Sequence, residues 1–393
     1  MLDPLAPLVI DENYRQRTFP ITQKKIFLSH AAVTTLPEPV ARAMNEYNAL
    51  WATSVPDYSE TLALIADAKR IAAELIRAEP DEIALLGPTS LGLNLFALGL
   101  GWQPGDEVIC YFEDYPANVY PWLGLRSQGV EVRFLQTANL GEITPEQIRA
   151  HLTRRTRLVA LASCHFVSGY RLDLAAIGQL LHEREVLFSV DAIQTLGAFP
   201  TTVEHVDFLS ADAHKWLLGP VSIGVVFVRK DRFEVCRPAL LGSRNIKSPG
   251  FVAQAEMEFV PSAQRYEPGV LNMPGVVGMR AAMRLLLDAG IERVSERIAG
   301  LRAYLGEGLR QLGFDQLGPT HPANAAGILA ARHPRRDMPK LYERLTAADV
   351  VCSLRQDRQG NQYVRFSPHF YNTEAELDQV LKVIENANPY RRP

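Results

Sequence analysis

Short apolar segments alternate with segments of helical periodicity through most of the chain. The apolar segments are EIALL 82–86, EVICYF 107–112, EVRFL 131–135, LVALAS 158–163, VLFSV 186–190, VDFLSA 206–211 and SIGVVFV 222–228. Several are continuously apolar rather than alternating, which is typical of strands covered on both faces. Helical spacing of Leu62, Ile65 and Leu75 predicts a helix over 57–78, with Asp57 as its cap. The pattern indicates an α/β fold with a mostly parallel sheet between helices.

The pattern changes after about residue 265. The later segments are two long amphipathic helices at 275–288 and 291–312, then GILAA, a helix near 338–347, VVCSL, YVRFS and a last helix. Thr373 followed by Glu376 predicts a capping box that opens this last helix. We therefore expect three parts: an N-terminal arm, 1–26, that packs with the small domain, a large domain, 27–265, and a smaller α+β C-terminal domain, 266–393.

Charge and composition narrow the class of protein. The chain has 393 residues, with 41 Lys+Arg against 44 Asp+Glu and a formal net charge of −3. A nearly neutral chain lacks the basic surface that nucleic acids and anionic membranes require, so neither is expected as a partner. The N-terminal sequence shows no signal peptide, and no apolar run reaches the roughly 18 residues needed to span a bilayer. We expect a cytoplasmic protein.

The cysteines show no metal or disulfide pattern. Cys110, Cys164, Cys236 and Cys352 are far apart, without a CxxC pair or the spacing of a zinc site. Cys110 and Cys352 lie in apolar runs, where small buried thiols in a reducing compartment are expected. We therefore expect no bound metal.

Two polar positions follow predicted neighbouring strands. Asp191 comes directly after 186–190, with Gln194 three residues on, and His214-Lys215 follows 206–211. The carboxyl ends of parallel strands meet at the sheet edge where open α/β sheets bind ligands. An acid and a lysine at that edge suit pyridoxal 5'-phosphate, because the lysine forms an imine with the aldehyde and the carboxylate keeps the pyridine nitrogen protonated.

The region 186–220 resembles the class V aminotransferase group of fold type I pyridoxal-phosphate enzymes. That group includes cysteine desulfurases, selenocysteine lyases, kynureninases and isopenicillin-N-epimerase-like proteins. Further segments resemble the family in order along the chain: FLSHAAVTTLP 27–37, GPTSLGLN 87–94, DYPANVYPW 114–122, SCHFVSGYRLDL 163–174 and YVRFSPHFYNTEAELD 363–378. The resemblance implies a large domain with a seven-stranded type of sheet, pyridoxal 5'-phosphate as cofactor, a small amino-acid substrate and a homodimer.

The resemblance also implies roles for individual residues around the cofactor. Lys215 is the Schiff-base lysine and then the acid or base at the substrate Cα. Asp191 pairs with the ring nitrogen, Gln194 binds the ring's phenolic oxygen, and His214 contacts the phosphate or the surroundings of the lysine. Thr89 and Ser90, at a helix start after a Gly-Pro turn, suit the phosphate, although Thr89 also fits a plain helix cap.

Arg365 is expected to bind the substrate carboxylate, because a guanidinium pairs bidentately with that group. His30 is expected to line the pocket and bind the substrate with Arg365, and His369 is a further candidate for the pocket wall. A structural histidine is the alternative interpretation of each. Tyr115, followed by Pro116, occupies the place where many relatives stack a histidine on the ring. Tyr115 could stack there instead, without acting as the same acid or base.

Other positions depart from the family pattern. Phe166 or a neighbour replaces an Asn that contacts the cofactor in desulfurases, and Asp212 replaces a phosphate-binding Ser. Val270 replaces a Thr that reaches the partner subunit's phosphate in relatives. The loop SLRQDRQGNQ lacks the sulfur-carrying cysteine, and Cys352 precedes it within an apolar run that disfavours a thiolate. The sequence therefore argues against a persulfide relay.

Several functions stay open at this point. The first is a class V aminotransferase-like enzyme that activates the Cα of an amino acid. The alternative is a carbon–sulfur β-lyase, of the cysteine or selenocysteine type, without a persulfide cysteine, and an amino-acid epimerase comes third. A nucleotide-binding oxidoreductase requires G-x-G-x-x-G, and GLGWQPG 99–105 has the wrong spacing. Asp191, Lys215 and Arg365 together argue against a scaffold without chemistry.

Overall fold

A computed structural model of the chain describes residues 11–55, 57–319 and 321–387. Its strands are β1 Ile26–Phe27, β2 Ile83–Leu85, β3 Glu107–Tyr111, β4 Glu131–Leu135, β5 Thr156–Ala162, β6 Leu187–Asp191, β7 Phe208–Asp212, β8 Gly224–Val228, β9 Asp315–Leu317, β10 Leu329–Arg332, β11 Val350–Val351, β12 Ser353–Gln356 and β13 Gln362–Phe366. Its α-helices are α1 Glu12–Thr18, α2 Glu38–Thr53, α3 Tyr58–Ile76, α4 Thr89–Gly99, α5 Tyr120–Gly124, α6 Pro145–His151, α7 Leu174–His182, α8 Met273–Ala289, α9 Ile291–Gln311, α10 Met338–Ala347 and α11 Glu374–Asn386.

The larger sheet has seven strands in the order β2-β8-β7-β6-β5-β3-β4. Strands β4, β3, β5, β6 and β7 are parallel, whereas β8 is antiparallel to both β2 and β7. Every residue of β3, β7 and β8 is buried, as expected for strands with helices on both faces. The predicted α/β fold with a mostly parallel, seven-stranded sheet is confirmed.

A four-stranded antiparallel sheet, β12-β13-β10-β9, forms the centre of a second core. Apolar residues of α9, α10 and α11 pack on it, among them Leu305, Leu341 and Val380. Helix α11 begins with the predicted capping box between Thr373 and Glu376. This small core holds one face of β13, and the other face of that strand is turned to the site described below.

Helix α8, which follows the predicted domain boundary at residues 265 and 266, packs on the large sheet. Val276, Met279 and Met283 of α8 belong to the apolar cluster of the large sheet, and α8 packs along α2 and α3. The chain passes into the small core within α9, where Val294 joins the large cluster and Leu305 the small one. The amphipathic pattern of α8 did not reveal which core it faces.

The N-terminal segment packs on the C-terminal segment around Tyr371 and Glu376. Arg15 Nη1 lies 2.9 Å from Glu376 Oε1 in a buried ion pair, and the Phe19 ring stacks on Tyr371 at 3.9 Å. Strand β1 continues this connection by pairing in parallel with β11. Residues 1–10 of the predicted arm lie outside the described residues.

Within residues 11–55, 57–319 and 321–387, no helix combines the length and the apolar character that crossing a membrane requires.

Candidate active site

A cavity of about 500 Å³ opens at the carboxyl edge of β6 and β7. It brings together all but one of the predicted site residues: Thr89, Ser90, Tyr115, Asp191, Gln194, His214, Lys215 and Arg365. Residues from five separate stretches of the sequence thus converge at the sheet edge where the strand order predicts a ligand site.

Asp191 and Lys215 are two buried residues of the cavity lining. Asp191 ends β6 opposite Ser210 of β7, and Lys215 follows the end of β7 by three residues. Only 3% of Asp191 and 8% of Lys215 is exposed. Burial raises the pKa of Asp191 to about 6, against the backbone N–H of Ile193 and the charge of Lys215, which lower it. The two side chains therefore carry weakly solvated charges that a polar ligand can use.

Burial also changes the protonation of the lysine. It lowers the pKa of Lys215 to about 8, while Asp191 raises this pKa, and Arg365 and Arg355 lower it further. The Nζ atom lies 5.4 Å from the centre of the Tyr115 ring. Near neutral pH a larger fraction of Lys215 is therefore the uncharged, nucleophilic amine than in an exposed lysine.

The lowered pKa gives a testable pH dependence. A group with a lowered pKa loses its proton at lower pH, so the neutral amine of Lys215 dominates above pH 8. We expect the rate of cofactor uptake by the cofactor-free protein to rise up to about pH 8 and then to level off, followed by visible absorbance. The reaction of N-acetyl-lysine with the same aldehyde, measured as a control, continues to rise at higher pH. A protein rate that rises in parallel with this control would contradict the assignment.

The start of α4 forms one end of the cavity. Thr89 is the first residue of α4; its Oγ1 accepts a hydrogen bond from the backbone N–H of Asp212 at 2.8 Å, and its carbonyl accepts one from Ser210 Oγ at 3.0 Å. Gly92 allows this close approach, because a Cβ there would collide with Ser210. The N–H groups at the start of a helix favour an anion, and together with the hydroxyls of Thr89 and Ser90 they suit a phosphate.

His214 completes this end and explains the departure at Asp212. The Nδ1 atom of His214 lies 2.7 Å from Asp212 Oδ1, and Asp212 Oδ2 is buried without a partner among the described residues. Asp212 therefore faces the histidine and does not line the cavity, whereas His214 does. This pairing keeps the carboxylate away from the anion-binding end.

Tyr115 and Gln194 lie on the cavity wall. The Tyr115 ring is half-exposed and packs edge-on against Phe166 at 5.4 Å. Gln194 is buried; its Nε2 donates to the carbonyl of Ala31 at 3.1 Å, and its Oε1 accepts from Trp216 Nε1 at 3.0 Å. One hydrogen of the Gln194 amide nitrogen remains for a ligand.

Asp114, which the sequence analysis did not single out, fixes the backbone before Tyr115. Its carboxylate accepts hydrogen bonds from the backbone N–H groups of Tyr115 at 2.7 Å and Ala162 at 3.1 Å, and from Asn118 Nδ2 at 3.0 Å. Burial and the charge of Asp191 raise the pKa of Asp114 to about 7. The sequence signal was its position just after β3, at the same sheet edge as Asp191.

Arg365 approaches the cavity from β13. The residue is 1% exposed, its Nη1 donates to the carbonyl of Phe166, and its Nε and Nη2 are buried without a partner among the described residues. Burial lowers the pKa of Arg365, and the charge of Arg355 adds to this effect. Buried, unpaired guanidinium donors are costly, and an anionic ligand would satisfy them.

Comparison with known proteins identifies the family of the chain that forms this cavity. The sequence model described as "Aminotransferase class-V" matches residues 26–380. The chain belongs to the class V aminotransferase family. This finding confirms the resemblance, and it makes the protein an enzyme that depends on pyridoxal 5'-phosphate.

Relatives of this class V aminotransferase cover nearly the whole chain. A probable cysteine desulfurase of Pyrococcus abyssi (strain GE5 / Orsay) is 28% identical over 394 residues, with 96% of this chain and 97% of the relative covered. The apo structure of a cysteine desulfurase from Thermococcus onnurineus NA1 has a TM-score of 0.89 and 25% identity, covering 95% of this chain and 97% of that chain. A C-DES mutant with glycine covalently linked to its pyridoxal-phosphate cofactor has a TM-score of 0.85 and 22% identity, covering 94% and 99%, and shows the shared fold alone.

The residues of the cavity fit pyridoxal 5'-phosphate. The start of α4 offers donors for the phosphate, the buried Asp191 carboxylate has a single hydrogen bond, from Ile193, and no described residue hydrogen-bonds Lys215 Nζ. When bound, the cofactor supplies an aldehyde that reacts with amines and a ring that withdraws electrons from the substrate Cα. Asp191, Lys215 and the α4 start together match its three reactive or charged parts.

His30 lies outside the cavity, which differs from its predicted part in substrate binding. Its side chain is fully buried, with Nδ1 2.9 Å from the carbonyl of Ser367 and Nε2 2.9 Å from the hydroxyl of Tyr371. Burial lowers the pKa of His30 to about 4, so the ring is neutral. His369 is also fully buried, with Nε2 3.1 Å from the carbonyl of Trp216. The hydrogen bonds of the two rings connect segments that are distant in the sequence: His30 to Ser367 and Tyr371, and His369 to Trp216.

The cysteines lie in the protein interior. Burial raises the thiol pKa to about 12 in each of Cys110, Cys164, Cys236 and Cys352. Cys352 packs within the small core, whereas Ser353, the next residue, pairs with Arg365 across the sheet. Because neighbouring strand residues point to opposite faces, the Cys352 thiol is directed away from Arg365.

Proposed function

We propose that this class V aminotransferase is a cysteine desulfurase, which removes the sulfur of a cysteine-type amino acid. One observation carries the proposal: Lys215 and Asp191 lie buried in the same cavity as Arg365, whose Nε and Nη2 have no partner in the part of the chain that the structure describes. Such a cavity suits the amino and carboxylate groups of an α-amino acid. The names of the relatives at 28% and 25% identity support a sulfur-containing side chain.

In this proposal three residues act on the substrate. Arg365 binds the α-carboxylate through its free donors and thereby orients the Cα hydrogen. Lys215 removes that hydrogen as a proton with its neutral amine, for which its lowered pKa is suited. Asp191 carries the negative charge that keeps the ring nitrogen protonated, and burial away from water strengthens this interaction.

Further residues would hold the cofactor. Thr89, Ser90 and His214 would bind its phosphate, and Gln194 its phenolic oxygen. Tyr115 would stack on the ring face, which its contact with the Lys215 amine at 5.4 Å supports. Asp114, which fixes the backbone of Tyr115, is a positioning residue for this stack.

Two candidate reactions, that of a cysteine desulfurase and that of a carbon–sulfur β-lyase, differ in whether a protein cysteine accepts the sulfur. The names of the relatives do not support the exclusion of a persulfide step that the sequence suggested. The burial of all four cysteines nevertheless favours a second candidate, a carbon–sulfur β-lyase. In the lyase the bond breaks by elimination, and the carbon skeleton leaves as pyruvate and ammonia, whereas a desulfurase releases alanine.

We also propose a homodimer, as the resemblance implies. Val270 supports it, because this apolar side chain is 88% exposed in the single chain, at the position where relatives reach the partner's phosphate. A monomer in solution would contradict this part of the proposal.

The removal of sulfur is tested with the purified holoenzyme and an amino-acid panel. With L-cysteine and dithiothreitol we expect continuous release of sulfide, and with L-serine or L-alanine we expect no keto acid. Formation of pyridoxamine phosphate with a keto acid would instead show transamination. Inversion of the amino acid without release of sulfide would show an epimerase. Either result would contradict the proposal.

A further inference from the structure

Arg355 places a second guanidinium beside Arg365. Both residues line the cavity, and the two lie on neighbouring antiparallel strands, β12 and β13. Arg365 is paired with Ser353, and Arg355 is two residues further along the same strand, so both side chains leave the same face of the small sheet. The Cβ atoms of such diagonal neighbours are separated by about 7 Å.

The protein itself does not neutralise these two charges. Arg355 Nη1 donates to the carbonyl of Leu354 at 3.2 Å, and Arg365 Nη1 donates to that of Phe166. No carboxylate in the described part of the chain forms an ion pair with either guanidinium. Burial lowers the pKa of Arg365, and the neighbouring charge of Arg355 lowers it further, so the arrangement favours an anionic ligand at each guanidinium.

The cavity has separate places for the anions that it must bind. The phosphate belongs to the start of α4 at Thr89 and Ser90, whereas the arginines stand on the small sheet. The α-carboxylate of the substrate needs only one bidentate guanidinium, and the buried donors of Arg365 meet that need. Arg355, which is half-buried and also lines the cavity, is then left to bind a further anion.

We infer that Arg355 binds a carboxylate at the far end of the substrate side chain. The substrate class is then a cysteine-type amino acid whose sulfur carries a further acidic group, so that the molecule has a carboxylate for each arginine. The inference rests on the proposed function for its sulfur-containing substrate. With such a substrate the reaction is that of the β-lyase candidate: the carbon–sulfur bond breaks by elimination, the sulfur leaves as the thiol that carries the acidic group, and the carbon skeleton leaves as pyruvate and ammonia. Arg355 thereby determines specificity, and Arg365 provides general affinity for amino acids.

Two isosteric ligands test this inference. S-carboxymethyl-L-cysteine and S-carbamoylmethyl-L-cysteine differ in the side-chain charge and scarcely in shape. Their dissociation constants are measured from the change in cofactor absorbance when each is added to the holoenzyme. We expect the wild-type protein to bind the carboxymethyl compound about tenfold to a hundredfold more tightly, the range of a charge-assisted hydrogen bond.

Variants then assign this preference to a residue. Arg355→Gln should bind both ligands alike, at the level at which the wild type binds the carbamoylmethyl compound. Arg358→Gln serves as the matched control, because Arg358 is exposed, stacks on Phe112 at 4.2 Å and does not line the cavity. This control should keep the wild-type preference, and Arg355→Lys, which retains the charge without the fork, should keep part of it.

Two results would overturn the inference. One is a wild-type protein that binds both ligands equally. The other is an Arg355→Gln variant that loses affinity equally for both, which would make Arg355 part of the α-carboxylate site. The proposed function fails separately: in that case L-cysteine releases no sulfide, whatever the two ligands show.

Discussion

Replacement of Lys215 by alanine is expected to lower sulfide release from L-cysteine by at least about a thousandfold, because the variant lacks the amine that removes the Cα proton. The same change should abolish the visible absorbance of cofactor covalently attached to the protein. Both effects follow from one atom, since Lys215 Nζ is the amine of the cavity that the structure places beside Asp191 and Tyr115. Steady-state assays and absorbance spectra of the reconstituted variant measure them.

A matched lysine provides the control. Lys230 is exposed and lies after β8, away from the cavity, so Lys230→Ala should keep the wild-type spectrum and rate. A Lys215→Ala variant that retains both the covalent absorbance and more than about a tenth of the wild-type rate would contradict the assignment of the catalytic amine.

Replacement of Arg365 by methionine is expected to weaken binding of every α-amino acid by about a hundredfold, because a desolvated carboxylate loses its bidentate partner. Sulfide release at saturating L-cysteine should fall much less, since the amine of Lys215 is untouched. The change should also raise the melting temperature of the cofactor-free protein. A buried guanidinium with two unpaired nitrogens costs free energy that methionine does not incur.

Weaker amino-acid binding together with a higher melting temperature would distinguish a binding role of Arg365 from a structural role. Titration of the cofactor absorbance with L-cysteine gives the affinity, and thermal unfolding gives the stability. A purely structural arginine would lower the melting temperature when replaced. If the affinity for amino acids stayed at the wild-type level, Arg365 would not be the carboxylate receptor.

The sequence identified the centre of the site because strand ends are visible in it. Asp191 and Lys215 each follow an apolar strand, and parallel strands bring such positions to one edge. The capping box of α11 and the cap of α3 at Asp57 were equally local signals, and both are present. These features depend on a few neighbouring residues, so a single sequence contains them.

Features that depend on packing were not predictable in the same way. Helix α2 was missed because only Val40 and Tyr47 of its sixteen residues are buried, which leaves a weak apolar periodicity. An apolar pattern does not show which core a helix faces, so the packing of α8 on the large core was not predicted. Nor does it show strand direction, so the antiparallel β8 was not predicted either.

The side chains of the small sheet illustrate the same limit within the site. Arg355 became a candidate for ligand binding only from the strand register, which places it diagonally opposite Arg365. The sequence predicted that His30 lines the site. In the structure its neighbours Ala31 and Ala32 line the cavity, whereas its own ring hydrogen-bonds Ser367 and Tyr371. Direction of a side chain in an irregular segment is a property of the folded chain.

The fate of the carbon skeleton of L-cysteine shows whether the enzyme is a cysteine desulfurase or a β-lyase. Purified holoenzyme is incubated with isotopically labelled L-cysteine and dithiothreitol, and the products are followed by nuclear magnetic resonance. A cysteine desulfurase yields labelled alanine in equal amount to the sulfide released. Labelled pyruvate with ammonia in place of alanine would contradict the desulfurase and establish the β-lyase.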